Sequence, residues 1–301
     1  MRSLIRVAAE RLVTGSGVAA LARRRLGPRT AILAYHNVVP EDEAGRGDAS
    51  LHLPLPAFID QVERMRETHD VVALERAGSA EPEPGRRPRA VVTFDDAYRG
   101  AVTLALPELA RRGVPATMFV SPGLLGRPST WWDELAEAGR LSPEVRRAAL
   151  EECEGRADRV RERFGAGIGR GGGLPRTYGI ATPEELRSHA LPGIRLGSHA
   201  WEHEHLPSLT ADRREESLAR TWEWLAGFEV GWVPWLALPY GAGSRELGRA
   251  AAEAGHAGVL RIEGGLWDPS RMDSSWAPRV NVPAALSVRG LELRAAGLLR
   301  R

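Results

Sequence analysis

The sequence predicts an α/β fold: a single-domain, distorted (β/α) barrel with a helical insertion. Two observations support this. Apolar runs rich in β-branched residues alternate with helix-periodic segments along the 301 residues, which is typical of parallel strands joined by helices. About eight such units follow one another without an internal repeat or a long linker, and that number favours a barrel. We therefore expect functional residues at the carboxyl ends of the strands, where barrel enzymes carry their chemistry.

The first part of the chain supplies four predicted strands and the helices between them. The strands are "AILAYHNVV" (31–39), "DVVAL" (70–74), "AVVTFDD" (90–96) and "PATMFV" (115–120). Helices are predicted over 56–69, where Phe58, Val62 and Met65 have helical spacing, and over 101–112. The stretch "EPEPGRRPR" (81–89) is predicted to be a loop because proline, glycine and charge dominate it.

A long excursion from about 121 to 180 is the predicted insertion, with "STWWDEL", a charged helical run and the glycine-rich "GAGIGRGGG". After it, "TPEEL" (182–186) predicts a helix start, in which Thr182 caps, Pro183 suits the first turn and Glu185 completes a capping box. The remaining strands are predicted in "IRLGSH", "PWLALPYG" (234–241), "HAGVLRI" and "WAPRVNVP", and the remaining helices over 211–227, near 244–254 and from about 284.

Composition restricts the class of protein. The chain has 41 basic residues, all arginine, against 39 acidic ones, and the net charge of +2 argues against a dedicated nucleic-acid binder. Cys153 is the single cysteine, which excludes an intramolecular disulfide and a cysteine-based metal cluster. No apolar run approaches the roughly 20 residues of a spanning helix.

Residues 1–30 are predicted to be a basic, amphipathic helical segment ahead of a barrel domain at 31–301. The segment lacks the apolar core of a secretory signal, so we expect a cytoplasmic location. Two interpretations stay open for it. Either it contacts an anionic membrane at the inner surface, or it packs on the domain's own surface.

Residue types suited to metal binding follow two predicted strands. Asp95 and Asp96 end one of them, and His199 and His203 follow another. If the chain turns helical after Ser198, both histidines lie on one helix face and can bind one divalent ion. An aspartate with two histidines leaves metal positions open for water and substrate. The alternatives are a surface histidine patch and a helix N-cap at the aspartates.

Three motifs occur in order at predicted strand ends: "TFDDAY" (93–98), "SHAWEHEHL" (198–206) and "LPYG" (238–241). Together they resemble the T-F-D-D-G/A, H-S/T-x-x-H-x-x-L and R-x-P-Y-G motifs of the polysaccharide deacetylase family, the NodB-like carbohydrate esterases. The resemblance spans roughly 31 to 281, matches the insertion poorly, and is closest to the branch that acts on exopolysaccharide. It implies a distorted barrel of the NodB type.

The resemblance also implies roles for individual residues. Asp96, His199 and His203 would hold one divalent ion, with zinc as first choice and cobalt, nickel or manganese as alternatives. Asp95 would be the general base in removing an acetyl group from an N-acetylated amino sugar of a glycan or glycan precursor. A backbone N–H near Tyr240 would help to stabilise the oxyanion, and His205 would occupy a variable motif position.

The sequence departs from the family pattern at two places. Ala237 stands where the family has the arginine that orients the base, and Arg279 in "WAPRVNV" is our candidate to replace it, unless it forms a surface salt bridge. The family's late histidine, which protonates the leaving amine, has no counterpart after residue 256. His36, at the end of the first strand, is the candidate substitute acid or substrate-binding group; the alternative is a hydrogen-bonded structural histidine.

Trp131, Trp132 and Pro239 are the predicted substrate-binding residues, since tryptophan rings stack on sugar faces. The two tryptophans would instead anchor the insertion if they are buried against the barrel. Two other functions compete with deacetylation: carbohydrate binding by a weakened family member, and hydrolysis of a non-sugar amide. The retained Asp95 argues against the first, because metal binding alone does not need a second carboxylate.

Overall fold

The computed structural model describes residues 10, 14, 17–78, 87–165 and 173–299. Its strands, in chain order, are β1 (Thr30–Tyr35), β2 (Asn37–Val39), β3 (His52–Pro54), β4 (Asp70–Val71), β5 (Arg89–Phe94), β6 (Ala116–Val120), β7 (Ile194–Ser198), β8 (Trp232–Ala237), β9 (Gly258–Arg261), β10 (Ala277–Pro278) and β11 (Val280–Asn281). The main sheet is parallel in the order β10-β9-β8-β7-β6-β5-β1-β11, with β4 beside β5, while β2 and β3 form a separate pair. Its central strands are almost completely buried, as expected when both faces of a parallel sheet are covered.

One short segment nearly closes this sheet into a barrel. Residues 277–278 pair with β9, and residues 280–281 pair with β1 at the opposite edge. Between the two pairings, the Arg279 N–H donates to the Arg261 carbonyl at 2.9 Å. The predicted barrel is therefore confirmed, and Arg279 lies at the point where its two edges meet.

The helices cover the outside of the barrel and form the insertion. They are α1 (Val18–Arg24), α2 (Leu55–Thr68), α3 (Leu106–Arg111, after a π-helical Ala101–Ala105), α4 (Trp131–Glu137), α5 (Pro143–Glu151), α6 (Ala157–Phe164), α7 (Pro183–Ser188), α8 (Ala211–Gly227), α9 (Arg245–Glu253) and α10 (Val288–Ala295). Phe58, Val62 and Met65 of α2 are buried in the core, and the predicted capping box of Thr182 and Glu185 is present. None of the described helices has the length and apolarity needed to cross a bilayer.

Some predicted boundaries were wrong. The run 31–39 is broken at His36 into β1 and β2, and the strand predicted at 70–74 contains only Asp70 and Val71. The last helix begins at Val288 and not near 284. Parts of the loop predicted at 81–89 and of the glycine-rich stretch after α6 lie outside the described residues.

Most of the predicted N-terminal segment, residues 1–30, also lies outside the described residues. The described α1 packs on the domain. Ala19 is buried, Leu26 joins the main core, and the Arg23 guanidinium pairs with Glu292 of α10. The alternative of packing on the domain's own surface thus holds for α1, and membrane contact by the rest of the segment stays a prediction.

Helices α4 to α6 form the insertion between β6 and β7, and they have a small apolar core of their own. The side chains of Thr130 and Ser142 cap α4 and α5. The buried residues of this core are Trp131, Trp132, Leu135, Ala149, Cys153 and Val160. The insertion is thus a compact helical cluster, and it contacts the barrel at the carboxyl ends of the strands through the residues described next.

Candidate active site

A cavity of about 230 Å³ opens at the carboxyl ends of the barrel strands. The barrel contributes His36, Asp95, Asp96, His199, His203 and Tyr240 to its wall. The insertion adds Trp132 and Arg146, and the loop before β3 adds Ser50 and Leu51. The cavity therefore collects most of the predicted site residues, and it lies where the fold class predicts chemistry.

Asp96, His199 and His203 form a buried cluster suited to a metal ion. The Asp96 Oδ1 atom lies 3.4 Å from His199 Nε2 and 3.0 Å from His203 Nε2, and the three ligand atoms all lie within 4.8 Å of one another. Oδ1 of Asp96 is buried and accepts no hydrogen bond from the described residues. A buried carboxylate oxygen without a donor is costly unless a cation compensates it, so the donor set fits a divalent metal.

The chain does not bring the two histidines together in the predicted way. It does not turn helical after β7; Ala200 and His203 instead have φ of +59° and +55°, in the left-handed region. The expectation of a shared helix face was therefore wrong, although the two ring centroids do lie 4.6 Å apart. The His199 Nδ1 atom is 2.7 Å from the Ala237 carbonyl, which assigns its hydrogen to Nδ1 and leaves Nε2 to face Asp96.

Backbone strain is concentrated around this cluster. Asp96, Ala97, Ala200, His203 and Tyr240 all have φ between 55° and 70°, a region that residues with a Cβ rarely adopt. Each such residue costs on the order of 1–3 kcal/mol, and strain of this kind collects where function requires it. The strained positions include two of the three candidate metal ligands.

Asp95 is held by a bidentate ion pair with Arg279. Nη1 donates to Oδ1 at 2.7 Å and Nη2 to Oδ2 at 2.6 Å, and both side chains are buried. Burial alone raises the pKa of Asp95, but the Arg279 guanidinium and the nearby His199 hold it below its ordinary value. The expected contact between Arg279 and Asp95 is present, and the alternative of a surface salt bridge is wrong.

His36 lines the cavity, and among the described residues none donates to or accepts from its imidazole. The alternative of a hydrogen-bonded structural histidine is therefore wrong. Burial lowers the pKa of His36, more than the neighbouring Asp95 and Asp96 raise it. His256 lies instead in a groove between α8 and α9, where its Nδ1 is 3.0 Å from the Ala251 carbonyl.

The predicted substrate-binding residues divide into two groups. Trp132 lines the cavity, and its ring packs 5.0 Å from that of His203. Trp131 is 1% exposed behind it, and its indole N–H donates to the Gly155 carbonyl at 2.9 Å. Pro239, which directly precedes Tyr240 in the sequence, is buried and does not line the cavity. The expectation of substrate contact was wrong for Trp131 and Pro239; Trp131 anchors the insertion.

Tyr240 connects the barrel to the insertion. Its hydroxyl lies 3.2 Å from the Gly155 carbonyl and 3.3 Å from the Trp131 indole nitrogen. A Cβ at Gly155, which has φ of +70°, would lie 2.8 Å from that hydroxyl, so the approach requires glycine. Both contacts come from the insertion, so the Tyr240 side chain is held against it at the edge of the cavity.

Sequence reasoning missed Arg146 and the loop that holds it. The Arg146 guanidinium reaches the cavity from α5 and pairs with Asp48. Asp48 and Arg146 are 98 positions apart, and no periodicity or motif connects them. Only the folded insertion brings them together.

Comparisons with known proteins support the family and the fold class. The family model described as polysaccharide deacetylase matches residues 83–259. No curated protein sequence matches the chain. The fold is similar to that of three solved structures: the deacetylase PplD of Streptococcus pyogenes in complex with acetate (TM-score 0.61, 15% identity, 89% of this chain and 98% of that one), a polysaccharide deacetylase from Bacillus cereus (0.62, 14%, 89% and 69%) and IcaB from Ammonifex degensii (0.58, 18%, 89% and 97%).

Proposed function

The chain belongs to the polysaccharide deacetylase family, and we propose that it is a metal-dependent hydrolase that removes the acetyl group from an N-acetylated amino sugar of a glycan or glycan precursor. One observation carries the proposal. A candidate metal triad and a buried carboxylate with its own arginine partner line the same cavity. Metal-dependent hydrolysis of an amide uses both parts, a Lewis acid and a separate base.

Asp96, His199 and His203 are the proposed metal ligands, with zinc as first choice and cobalt, nickel or manganese as alternatives. A divalent cation bound there supplies a Lewis acid that polarises the acetyl carbonyl and promotes ionisation of water. The hydrogen bond from His199 to the Ala237 carbonyl orients the imidazole for this task.

Asp95 is the proposed general base. Its ion pair with Arg279 keeps it ionised and fixes its direction, so it accepts the proton of the attacking water. The backbone N–H of Tyr240 is the proposed hydrogen-bond donor to the oxyanion. After the tetrahedral intermediate forms, the protonated Asp95 faces the same cavity and returns its proton to the leaving nitrogen, which gives acetate and the free amine.

His36 is better suited to binding substrate than to acid catalysis. Its lowered pKa makes the imidazole neutral near pH 7, and a cation at the triad would lower that pKa further. A neutral imidazole without a protein partner offers one donor and one acceptor to a sugar hydroxyl or amide. In the family, a late histidine protonates the leaving amine. We therefore assign that role in this chain to Asp95 and not to His36.

The rival of a weakened binding protein depended on Ala237 and on the absent late histidine. Arg279 pairs with the proposed base, which answers the first ground, and proton delivery by Asp95 is our proposed answer to the second. Trp132 on the cavity wall favours a sugar over a non-sugar amide. Residence in the cytoplasm and contact of residues 1–30 with the inner membrane surface stay predictions.

The test is release of acetate by purified full-length protein from a panel of N-acetylated sugars, oligosaccharides and lipid-linked precursors. Zinc, cobalt, nickel and manganese are added separately to chelator-treated protein, and a chelated sample serves as control. We expect metal-dependent acetate release from at least one sugar. Metal-loaded protein that hydrolyses only non-sugar amides would contradict the proposed substrate class.

A further inference from the structure

Asp133 of α4 is a completely buried carboxylate that takes no part in the chemistry described above. Its Oδ2 accepts from the hydroxyls of Tyr98 at 2.8 Å and Thr130 at 2.9 Å. Its Oδ1 accepts from the Asp48 N–H at 2.8 Å and lies 2.8 Å from His52 Nε2. Four donors satisfy both oxygens, and three of them belong to the barrel and its loops rather than to the insertion.

Each of those three donors is connected by further contacts to residues that line the cavity. The Tyr98 hydroxyl also accepts the indole N–H of Trp132 at 2.7 Å, and Trp132 lines the cavity. Asp48 begins the turn that carries Ser50 and Leu51 into the cavity, and Asp48 Oδ1 accepts from the Ser50 backbone and hydroxyl. The same aspartate pairs with Arg146.

The third route passes through His52 to the segment after β1. The His52 Nδ1 atom lies 3.0 Å from the Asn37 amide nitrogen, which assigns the ring hydrogen to Nε2, facing Asp133. Asn37 directly follows His36 and also accepts from the Ala101 N–H at 3.1 Å. One carboxylate therefore connects to cavity residues on three separate segments, through Tyr98 and Asp48 as single intermediates and through His52 and Asn37 together in the third route.

The fit around Asp133 is close. Gly47 has φ of +56°, and a Cβ at that position would lie 2.7 Å from Asp133 Oδ1. The loop backbone is thus pressed against the carboxylate and has no room to shift toward it.

We propose that Asp133 is a positioning residue of the deacetylase site: its buried carboxylate joins the insertion to the barrel and fixes Trp132, the 48–51 turn and the His36 segment around the sugar. The inference rests on the proposed function, since it supposes that a sugar occupies the cavity. Asp133 does not line the cavity itself, so it acts through these neighbours and affects substrate binding more than the chemical step.

Glu134 offers a matched control on the same helix. It is 9% exposed, and its carboxylate pairs with Arg161 at 2.6 Å and accepts from the Ser129 hydroxyl at 2.5 Å. These partners all belong to the insertion. Removing the Glu134 charge weakens the insertion's internal structure without breaking its connection to the barrel.

The experiment uses metal-loaded full-length protein and N-acetylglucosamine oligomers as the probe. KM and kcat are measured from acetate release, Kd of the oligomer is measured separately, and the ¹⁵N–¹H indole resonance of Trp132 is assigned through Trp132→Phe. Asp133→Ala should raise KM and Kd by about 10-fold, the equivalent of one lost charge-assisted hydrogen bond, with kcat changed by less than about 3-fold. The Trp132 resonance should shift in the same variant.

Two milder variants keep the test decisive if Asp133→Ala does not fold. Asp133→Asn retains one acceptor oxygen and should raise KM and Kd by a smaller factor, about 3-fold. Tyr98→Phe removes the acceptor of the Trp132 N–H while leaving Asp133 in place, and it should reproduce the resonance shift. Glu134→Gln should leave KM, Kd and the resonance unchanged, even where it lowers thermal stability.

Unchanged KM and Kd in the Asp133 variants, or an equal rise in Glu134→Gln, would overturn the proposal. Failure of the proposed function is distinguishable from failure of this one. Wild-type protein that binds the oligomer but releases no acetate refutes deacetylation, and the Kd values then decide the role of Asp133. Wild-type protein that neither binds nor hydrolyses any oligomer overturns both.

Discussion

Two regions meet at the cavity and contribute different things. The strand ends of the barrel carry the groups with chemical reactivity: the triad after β5 and β7, and the Asp95–Arg279 pair. The insertion contributes Trp132 and Arg146, which line the cavity and are not candidate metal ligands.

The two regions are also stabilised differently. Strands β5 and β7, which precede Asp95 and the triad, have hydrogen-bonded neighbours on both sides, so their ends are fixed by the backbone of the whole sheet. The insertion has a small core and is attached through the side chains of Asp133, Tyr240 and Trp131, and through one backbone hydrogen bond from the His205 N–H to the Glu154 carbonyl. This difference predicts that substitutions at the strand ends abolish turnover, whereas those in the insertion change substrate affinity.

The largest effect is expected at the metal ligands. His199→Ala and His203→Ala should each lose the bound ion, and turnover should fall by about 10³-fold or more, because Lewis-acid catalysis contributes several kcal/mol. Elemental analysis beside acetate release checks both quantities. His205→Ala is the matched control, since His205 bonds Ser208 outside the triad and should retain the ion. Equal metal content in all four proteins would refute the site.

The next effect separates the base from the metal. Asp95→Asn should retain the ion yet lose about 10²–10⁴-fold in kcat, because an amide cannot accept the proton of water. Metal content and kcat measured on the same preparation test this. Activity near that of wild type would show that Asp95 is not the base. Fewer residues at the strand ends would then take part in the chemistry than we propose.

Arg279→Met should reduce turnover by about 10²-fold, the loss typical of a misplaced catalytic group, with metal content unchanged. It also leaves the Asp95 carboxylate buried without its counter-charge, which costs about 3–5 kcal/mol of unfolding free energy. Denaturant unfolding and steady-state kinetics measure the two effects. Arg279→Lys keeps the charge but cannot form the bidentate ion pair with Asp95, so an intermediate loss of turnover is expected. Wild-type kinetics in both variants would show that the pair is structural only.

Much of the reactive region could be predicted from the sequence, for a physical reason. In a parallel barrel, residues that directly follow strands converge at one end, so "FDD", "SHAWEH" and "PRV" could be placed together from their positions alone. The contact between Arg279 and Asp95 follows from the same rule, since β11 and β5 are both neighbours of β1.

The local backbone conformation and the long-range contacts were harder to predict from the sequence. Ala200 and His203 adopt positive φ without being glycine, and no residue pattern indicates that conformation, so a helix was predicted there. Trp131 and Trp132 are adjacent on α4 and point in different directions, which the letters "WW" do not reveal. The partners of Asp133 lie 35 to 85 positions away in sequence, at Tyr98, His52 and Asp48, so only the fold identifies them.

The smallest expected effect compares those two neighbouring tryptophans. Trp132 lines the cavity and donates to Tyr98, while Trp131 is buried in the insertion and donates to Gly155. Trp132→Phe should raise KM by about 3- to 10-fold with kcat nearly unchanged, because it reduces the stacking face and removes one hydrogen bond. Trp131→Phe should leave KM unchanged but lower the unfolding free energy by about 1–3 kcal/mol, through lost packing and the loss of one of the two hydrogen bonds to the Gly155 carbonyl. Steady-state kinetics and thermal unfolding of both variants give the comparison. If both raise KM equally, the insertion acts as one flexible unit, and its cavity wall and its anchor are not functionally distinct.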